Sequence, residues 1–288
     1  MRPGLAHRLG STADPLLIVE QITVAEDKTE TAKRLAREEQ HKQNPGGANL
    51  PTLTSDPSFL LTAPADGLYQ IRLRDRYAAS RGAADLTYSL SITEPKPNFE
   101  VVVFESLPSA DGKAPPSTGA VSLRKGGTYA VPVYVYRSGG HNASITLKVE
   151  GLPNGITAAP ATITAGKSST VLVFTAATDV GEVYAPVRIN AMSNVGDKSV
   201  QHAAKIVTLA HAGANGLPRT ARVTGSMLVS VMKDEEPFTI EPAIAEAQVT
   251  QDQQLLIPIK LTRRTGFDAK VDIAFVGQPG NVDIPNDA

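Results

Sequence analysis

The chain has 288 residues, and its 28 Lys and Arg nearly balance its 29 Asp and Glu, so it has no net field to attract nucleic acid or an anionic membrane. It contains no cysteine, which excludes a disulfide framework, a thiolate zinc site and a cysteine nucleophile. No apolar run approaches the roughly 18 residues of a membrane-spanning helix. The first residues carry positive charge without the apolar stretch of a secretory signal, so we expect either a cytoplasmic protein or a missing N-terminus.

In the N-terminal third, apolar and polar residues alternate, and this period of two predicts half-buried strands. The clearest segments run from Tyr69 to Arg74 and from Tyr88 to Ile92, and Asp66-Gly67 predicts a turn before the first of them. The segment from Glu30 to Gln43 differs, because it is rich in strong helix formers and could make about three helical turns on propensity alone. It has too few apolar positions for a firm helical stripe.

The alternation continues through the rest of the chain, at Val131 to Val135, Ile145 to Val149 and Leu255 to Leu261. Frequent Gly and Pro turns separate these strands, which is typical of β-sandwiches and not of βαβ units. The segments Glu94–Asn98 and Lys233–Pro237 have the composition of linkers and predict two domain boundaries.

Part of the chain repeats itself, since the residues from Gly127 to Ile156 align without a gap on those from Gln253 to Val282 at a constant offset of 126. Such a period indicates a whole domain occurring twice, because solenoid units span about 20 to 50 residues. The paired prolines interrupt strand-like runs, which predicts edge strands or bulges. The matched turn formers and polar positions are Pro132 and Pro258, Arg137 and Arg263, Gly140 and Gly266, Ala143 and Ala269, Gly151 and Gly277, and Pro153 and Pro279.

Several motifs follow one another in the N-terminal region: Gly10-Ser11-Thr12-Ala13-Asp14-Pro15, then Asp56-Pro57-Ser58-Phe59, then Ala65-Asp66-Gly67-Leu68-Tyr69, and finally Tyr88-Ser89-Leu90-Ser91-Ile92. In this order and spacing, residues 8–93 resemble the bacterial pre-peptidase C-terminal (PPC) domain family, a β-sandwich module of secreted peptidases and large surface proteins. The family's opening strand is absent before the first motif, so we expect the chain to be a fragment. From Phe99 onward, the turn Gly151-Leu152-Pro153-Asn154-Gly155 resembles that of immunoglobulin-like modules.

The resemblance also implies a place for a metal. Some members of the family bind calcium beside an acidic pair that follows the second strand, and the matching residues are Glu38 and Glu39. These are the candidate calcium ligands. Because they depart from a pair of aspartates, we expect calcium to bind weakly or not at all, and we expect no other cofactor.

The sequence offers little catalytic chemistry. The five histidines stand too far apart to form the His pair of a zinc site on one element. Gly166-Lys167-Ser168 resembles the end of a phosphate-binding loop, but Ala161 stands where that motif needs glycine, so a hairpin turn is expected instead. No serine stands in a nucleophile elbow. We therefore predict that the chain is not an enzyme.

Two tyrosines are candidate glycan-binding residues. Tyr134 and Tyr136 share one face of a strand by the period of two and could stack on a sugar ring. Ordinary packing is the favoured interpretation, because sandwich strands are rich in aromatic residues and the chain contains no tryptophan.

Taken together, the sequence predicts an all-β protein of tandem β-sandwiches. Residues 1–95 form a PPC-like, jelly-roll-like sandwich without its first strand, 98–232 an immunoglobulin-like sandwich, and 238–288 part of a second immunoglobulin-like copy. We expect a non-catalytic accessory region of a larger secreted or cell-surface bacterial protein, extracellular or periplasmic, that acts as spacer, adhesion or targeting modules. The alternatives are a glycan- or polymer-binding module and an appendage of a secreted peptidase. Expected partners are other domains of the same polypeptide and an extracellular polymer or protein.

Overall fold

The chain folds into two compact units made of β-strands. The computed structural model describes residues 6, 10–46, 52–77, 82–104, 120–211, 220–244, 248–250 and 253–273, without the side chains of 209–211, 220 and 221. Every regular element in these ranges is a strand, so the protein is all-β, and the ranges contain no helix able to cross a membrane. The first unit comprises Met1–Glu100, Val135–Ala143 and Val195–Lys198, and the second Val101–Tyr134, Ser144–Asn194 and Ser199–Ala288. The domain boundaries at 95–98 and 232–238 stay a prediction.

The first unit is built on a three-stranded antiparallel sheet in the order β2-β1-β3. Its strands are β1 (Pro15–Val24), β2 (Glu30–Glu38) and β3 (Leu68–Asp75). Alternate residues of the central strand, Leu17 and Val19, form a core with Ala36 of β2. The apolar side chains that pack against this core are Phe59, Leu61, Ile71 and Leu73.

The helix considered for Glu30–Gln43 is wrong, because this segment forms β2. A tight turn closed by the hydrogen bond from the Ala25 N–H to the Thr29 carbonyl returns the chain alongside β1. In this turn the Asp27 carboxylate accepts a hydrogen bond from the Thr29 N–H, which lowers the pKa of Asp27. Eight residues of β1 then pair with β2. The pairing and burial outweigh the intrinsic helix preference of the segment.

The two strands predicted by alternation in this unit have different outcomes. The segment Tyr69–Arg74 is confirmed, since it lies within β3. The predicted strand Tyr88–Ile92 is wrong: no strand forms there, and the Tyr88 and Ile92 side chains are 55% and 63% exposed. Alternation supplies one apolar face, but a strand also needs a paired edge and a layer to cover that face. In the described part of this unit, the sheet consists of β1, β2 and β3.

The later strands form a β-sandwich and a separate strand pair. Strands β4 to β15 make two sheets, in the orders β14-β13-β4-β6-β10-β8 and β5-β15-β11-β7-β9, with β12 beside β11. β13 runs parallel to β4, and β15 runs parallel to β5. The strands are β4 (Asn98–Phe104), β5 (Ala120–Lys125), β6 (Thr128–Ser138), β7 (Ile145–Glu150), β8 (Ile156–Ala158), β9 (Ala161–Ile163), β10 (Ser169–Ala176), β11 (Val183–Val195), β12 (Lys198–Ala203), β13 (Lys205–His211), β14 (Thr220–Thr224), β15 (Met227–Glu235), β16 (Phe238–Pro242) and β17 (Ile259–Arg263).

Alternate side chains of these sheets form the apolar core of the second unit. Val131 and Val133 of β6 are fully buried, as their alternation predicted, and so are Ile145 and Leu147 of β7. The predicted edge or bulge position of Pro132 is wrong, because β6 lies between β4 and β10 and pairs with β10 without a register shift. Proline has no backbone N–H, so β6 lacks one ladder donor at this position. The core chains of the second unit include Phe104, Leu123, Ile163, Leu172, Phe174, Ile189, Ile206 and Met227.

An arginine closes the turn that follows β6. Arg137 Nη1 donates to the Ala143 carbonyl at 2.6 Å and lies 3.0 Å from His141 Nδ1, while the Phe99 ring packs on His141 with centroids 5.0 Å apart. Burial lowers the pKa of Arg137. The turn needs glycine at position 139, where φ is 58° and a Cβ would lie 2.2 Å from the Lys96 carbonyl oxygen. We call this arrangement the arginine clasp: an arginine ending a strand, a ring four residues later and a carbonyl six residues later.

The clasp occurs again after β17. Arg263 Nη1 donates to the Ala269 carbonyl, and its guanidinium carbon lies 5.5 Å from the centre of the Phe267 ring. Phe238 stacks on Phe267 with ring centroids 5.5 Å apart, whereas Phe99 makes a tilted contact with His141 in the first copy. The turn glycines Gly140 and Gly266 have φ of 82° and 87°. Three of the pairs that the sequence matched at an offset of 126 therefore perform the same structural role twice: Arg137 and Arg263, Gly140 and Gly266, and Ala143 and Ala269.

The apolar side chains of the second copy are more exposed to solvent than their matches in the first copy. β16 and β17 pair antiparallel, with Phe238 opposite Arg263, but the strand predicted over Leu255–Leu261 begins only at Ile259. Ile257 is 41% exposed, whereas Val131, its match in the first copy, is fully buried. Ile240 of β16, opposite Leu261, is 42% exposed, so among the described residues the apolar face of this strand pair lacks a covering second layer. Gly277 and Pro279 lie outside the described residues.

Removing the first clasp should destabilise the fold. Arg137→Ala deprives the Ala143 carbonyl of a charged donor, and such a loss costs about 1–3 kcal/mol. The matched control is Arg188→Ala on β11, an exposed arginine whose removal should stay within about 0.5 kcal/mol. Urea unfolding followed by circular dichroism measures both. Equal midpoints for the two variants would contradict the structural role of the clasp.

Candidate functional site

The outer face of the first unit's sheet carries rows of arginines on both sides of the central strand. Side chains directly opposite each other in a sheet share one face. Ile18 of β1 is paired with Arg37 of β2 and Arg72 of β3. One step to either side, Arg34 is opposite Glu20 and Arg74 is opposite Leu16. We call the face that carries Arg34, Arg37, Arg72 and Arg74 the arginine face.

A β-bulge sets the spacing of the row on β2. The register shifts between Val19 and Glu20, so that Arg34 and Arg37 both lie on the arginine face although they are three residues apart. On β3 the arginines follow the regular period of two. The central strand contributes Leu16 and Ile18, which are only 8% exposed on this outer side. Long arginine stems cover apolar surface while keeping the guanidinium group in water, which is consistent with that burial.

Carboxylates neutralise part of the arginine face. Glu20 is buried, and its Oε2 lies 2.6 Å from Arg72 Nη2 as a charge contact without hydrogen-bond alignment. Glu39 pairs with Arg37 at 2.8 Å and with Arg76 at 3.3 Å. Arg76 also contacts Asp14 at 3.3 Å, so one end of the face is a closed ion-pair network.

Two arginines of the face remain available. Arg34 and Arg74 are exposed, and among the described residues neither forms a salt bridge with a carboxylate, although Arg34 lies opposite Glu20 in the register. This face could not be predicted from the sequence pattern, because polar residues between apolar ones indicate only a solvated side of a strand. The signal that could have found it is the alternate spacing of Arg72, Arg74 and Arg76, but the row on β2 aligns with them only through the bulged register.

The structure places the candidate calcium ligands beside basic groups. Glu38 lies opposite Leu17, at the end of β2, and its Oε2 is 2.7 Å from Lys42 Nζ. Glu39 contacts Arg37 and Arg76 instead. Glu38 is the last residue of β2 and Glu39 follows it in a bend, and the two carboxylates contact different basic groups. No group of three or more acidic or histidine side chains that could hold a metal occurs in the described ranges. Calcium binding at Glu38 and Glu39 stays a prediction.

The candidate glycan-binding tyrosines are half-buried. Tyr134 packs edge-on against Phe104, with ring centroids 6.4 Å apart, and burial raises its pKa. Burial also raises the pKa of Tyr136, and the nearby Thr52 side chain offsets part of this rise without forming an aligned hydrogen bond. Both rings are half-buried and Tyr134 packs on a neighbouring ring, while a role in sugar stacking stays a prediction.

The polar residues weighed for catalysis fall in structural positions. Gly166-Lys167-Ser168 lies in a turn in which the Lys167 N–H donates to the Thr164 carbonyl, but this turn joins strands of different sheets instead of closing a hairpin. His41 Nδ1 lies 2.9 Å from the Ser58 hydroxyl, a contact that sequence spacing could not show. A serine beside a histidine is the minimum for nucleophilic catalysis, so this pair is the place to test for it.

A shallow groove also lies in the second unit, with a volume of about 260 Å³. Its lining is mainly apolar and includes Leu147, Leu152, Pro160, Leu172 and Met192. Pockets for small molecules usually reach about 300–1,000 Å³ and have a few convergent polar groups. The groove therefore offers less than the arginine face for a specific interaction.

Comparison with known proteins does not assign the chain to a family. No family model matches the chain, and no curated protein matches it. Among solved structures, the chain is similar to the crystal structure of domains 4 and 5 of the S-layer protein SbsC. That similarity has 11% sequence identity and a TM-score of 0.25, and it covers 66% of this chain and 96% of the other.

Calcium should stabilise the first unit weakly or not at all, because Glu38 and Glu39 already face Lys42, Arg37 and Arg76. Tight binding would add about 2.7 kcal/mol at a free calcium concentration 100 times the dissociation constant. We expect the same melting temperature in calcium and in chelator. The control is the double variant Glu38→Gln, Glu39→Gln, which should respond like the unchanged protein. A rise of many degrees that this variant abolishes would contradict the prediction.

Proposed function

We propose that the chain is a non-catalytic accessory region of a larger secreted or cell-surface bacterial protein, in which its β-modules act as spacer, adhesion or targeting units. The single observation that carries the proposal is the arginine clasp that closes the same turn in two copies, at Arg137 and at Arg263. Duplication of a module whose special residues serve its own turn is typical of proteins that need length and repeated surface. An enzyme would instead concentrate unusual residues at one cleft.

The sandwich core agrees with this proposal. Its largest fully buried side chains are aromatic and aliphatic, and strands from two sheets supply them. Such a core stabilises a rigid module and leaves function to the surface. The arginine face gives the first unit a surface suited to adhesion, since its exposed guanidinium groups present donors in a fixed fork. An extracellular or periplasmic location belongs to the same proposal and follows from the PPC resemblance of residues 8–93.

Two other functions remain as secondary proposals. A glycan-binding module would use Tyr134 and Tyr136, but their half-buried rings favour packing. An appendage of a secreted peptidase is supported by the PPC resemblance alone. Neither is favoured by an additional contact in the described structure.

The decisive experiment looks for catalysis where the structure would allow it. Purified protein is incubated with casein, carboxylic esters and phosphomonoesters, and we expect no turnover above that of a heat-unfolded sample. The matched variants are Ser58→Ala and His41→Ala, which remove the serine–histidine contact. Turnover that survives repurification and disappears in both variants, while their melting temperatures stay unchanged, would overturn the non-catalytic proposal.

A further inference from the structure

We propose that the arginine face binds an acidic polysaccharide through Arg34 and Arg74. This inference rests on the proposed adhesive function and adds the chemical class of the partner. It starts from the charge of the face, where Arg34, Arg37, Arg72 and Arg74, together with the adjoining Arg76, meet the four carboxylates of Asp14, Glu20, Glu30 and Glu39. The arginines outnumber the carboxylates, so the face has an excess of positive charge although the whole chain is nearly neutral.

The spacing of the available arginines requires a long ligand. Arg34 and Arg74 lie on the two strands that flank β1, which places their backbones about 10 Å apart across the sheet. Their partners on β1, Glu20 and Leu16, are separated by about 13 Å along the strand. A single carboxylate or phosphate ion cannot reach both guanidinium groups across this diagonal. A polymer with repeated anionic groups can, and engaging both sites raises its apparent affinity over that of one unit.

The face itself shows which anion it accepts. Its paired arginines already hold carboxylates, Arg37 that of Glu39 at 2.8 Å and Arg72 that of Glu20 at 2.6 Å. A carboxylate matches the planar fork of a guanidinium group, and Arg34 and Arg74 offer the same donors to solvent. Carboxylates along a uronic acid polymer would therefore repeat an interaction that the sheet makes internally.

Other polyanions fit the face less well. Single-stranded nucleic acids bind through aromatic platforms on which bases stack, and the described strand positions of this face carry arginine, aliphatic, glutamate and glutamine side chains without a ring. An anionic membrane attracts clusters of four to eight basic residues, whereas here carboxylates neutralise most of the arginines. A polysaccharide of moderate charge density is the better match for two free arginines on a flat sheet.

The test measures binding of the full chain to polygalacturonate, a uronic acid polymer, in buffer without divalent cations. We expect Arg34→Ala with Arg74→Ala to weaken binding roughly fivefold or more, because each exposed charge pair contributes up to about a fivefold factor. The matched control, Arg188→Ala with Arg222→Ala, removes the same charge from exposed positions elsewhere and should change affinity less than about twofold. Binding should also fall as salt rises from low to high ionic strength.

Binding measurements with other ligands identify the chemical class of the partner. Neutral dextran should not bind, and galacturonate monomer should bind far more weakly than the polymer. Tighter binding to an oligothymidylate or to phosphatidylglycerol vesicles than to polygalacturonate would overturn the inference, as would equal losses in the two double variants. Melting temperatures confirm that all variants fold. A chain that binds no uronate polymer and also lacks hydrolase activity would overturn this inference and leave the proposed accessory function standing.

Discussion

The need to cover each apolar sheet face determines most of this structure. Every strand with alternating side chains has one apolar face whose exposure to water is unfavourable. A single sheet cannot bury that face without a second layer. In the second unit, strands from two sheets supply the covering, and Val131, Val133, Ile145 and Leu147 are buried as a result. Where the described structure supplies no second layer, as at Ile240 of β16, an apolar side chain on a sheet stays 42% exposed. The burial of alternate side chains in the second unit and the exposure of apolar side chains in the second copy both follow from this constraint.

The arginine clasp supplies a hydrogen-bond donor to a turn, which the packing of two sheets against each other does not do. The chain must turn sharply after β6 and after β17, and the carbonyls in such a turn need donors. A guanidinium group that ends the strand can reach a carbonyl six residues later, while a ring four residues later packs beside it. The ring differs between the copies, His141 in one and Phe267 in the other, so the shared element is the arginine-to-carbonyl contact. Its recurrence relates the two copies more directly than overall similarity could.

The fold class and the repeat could be predicted from the sequence because both depend on local periodicity. The alternation at Val131–Val135 and the matched Arg137 and Arg263 are visible without coordinates. The strand character of Glu30–Glu38 was not predictable in the same way, since its composition favours helix and only pairing with β1 decides otherwise. Conversely, the alternation at Tyr88–Ile92 was visible, but in the described structure only an isolated bridge forms there, at Ser89, and no strand.

The candidate site shows the same limit. Glu38 and Glu39 were chosen by resemblance, yet pairing with Lys42, Arg37 and Arg76 is a tertiary fact. The arginine face combines residues about forty positions apart in sequence, and its register depends on one bulge in β1–β2 pairing. His41 and Ser58 meet only through the fold of the loop between β2 and β3. Sites assembled from separate strands cannot be read from spacing along one strand.

Native-state hydrogen exchange tests the covering constraint most directly, because it compares equivalent positions of the two copies in one sample. The amides of Val133 and Val135 in β6 should be strongly protected, and those of the matched Ile259 and Leu261 in β17 should exchange faster by orders of magnitude, since local opening costs little where a sheet face is uncovered. Equal protection of both pairs would contradict the account, because it would show that β17 is as well covered as β6.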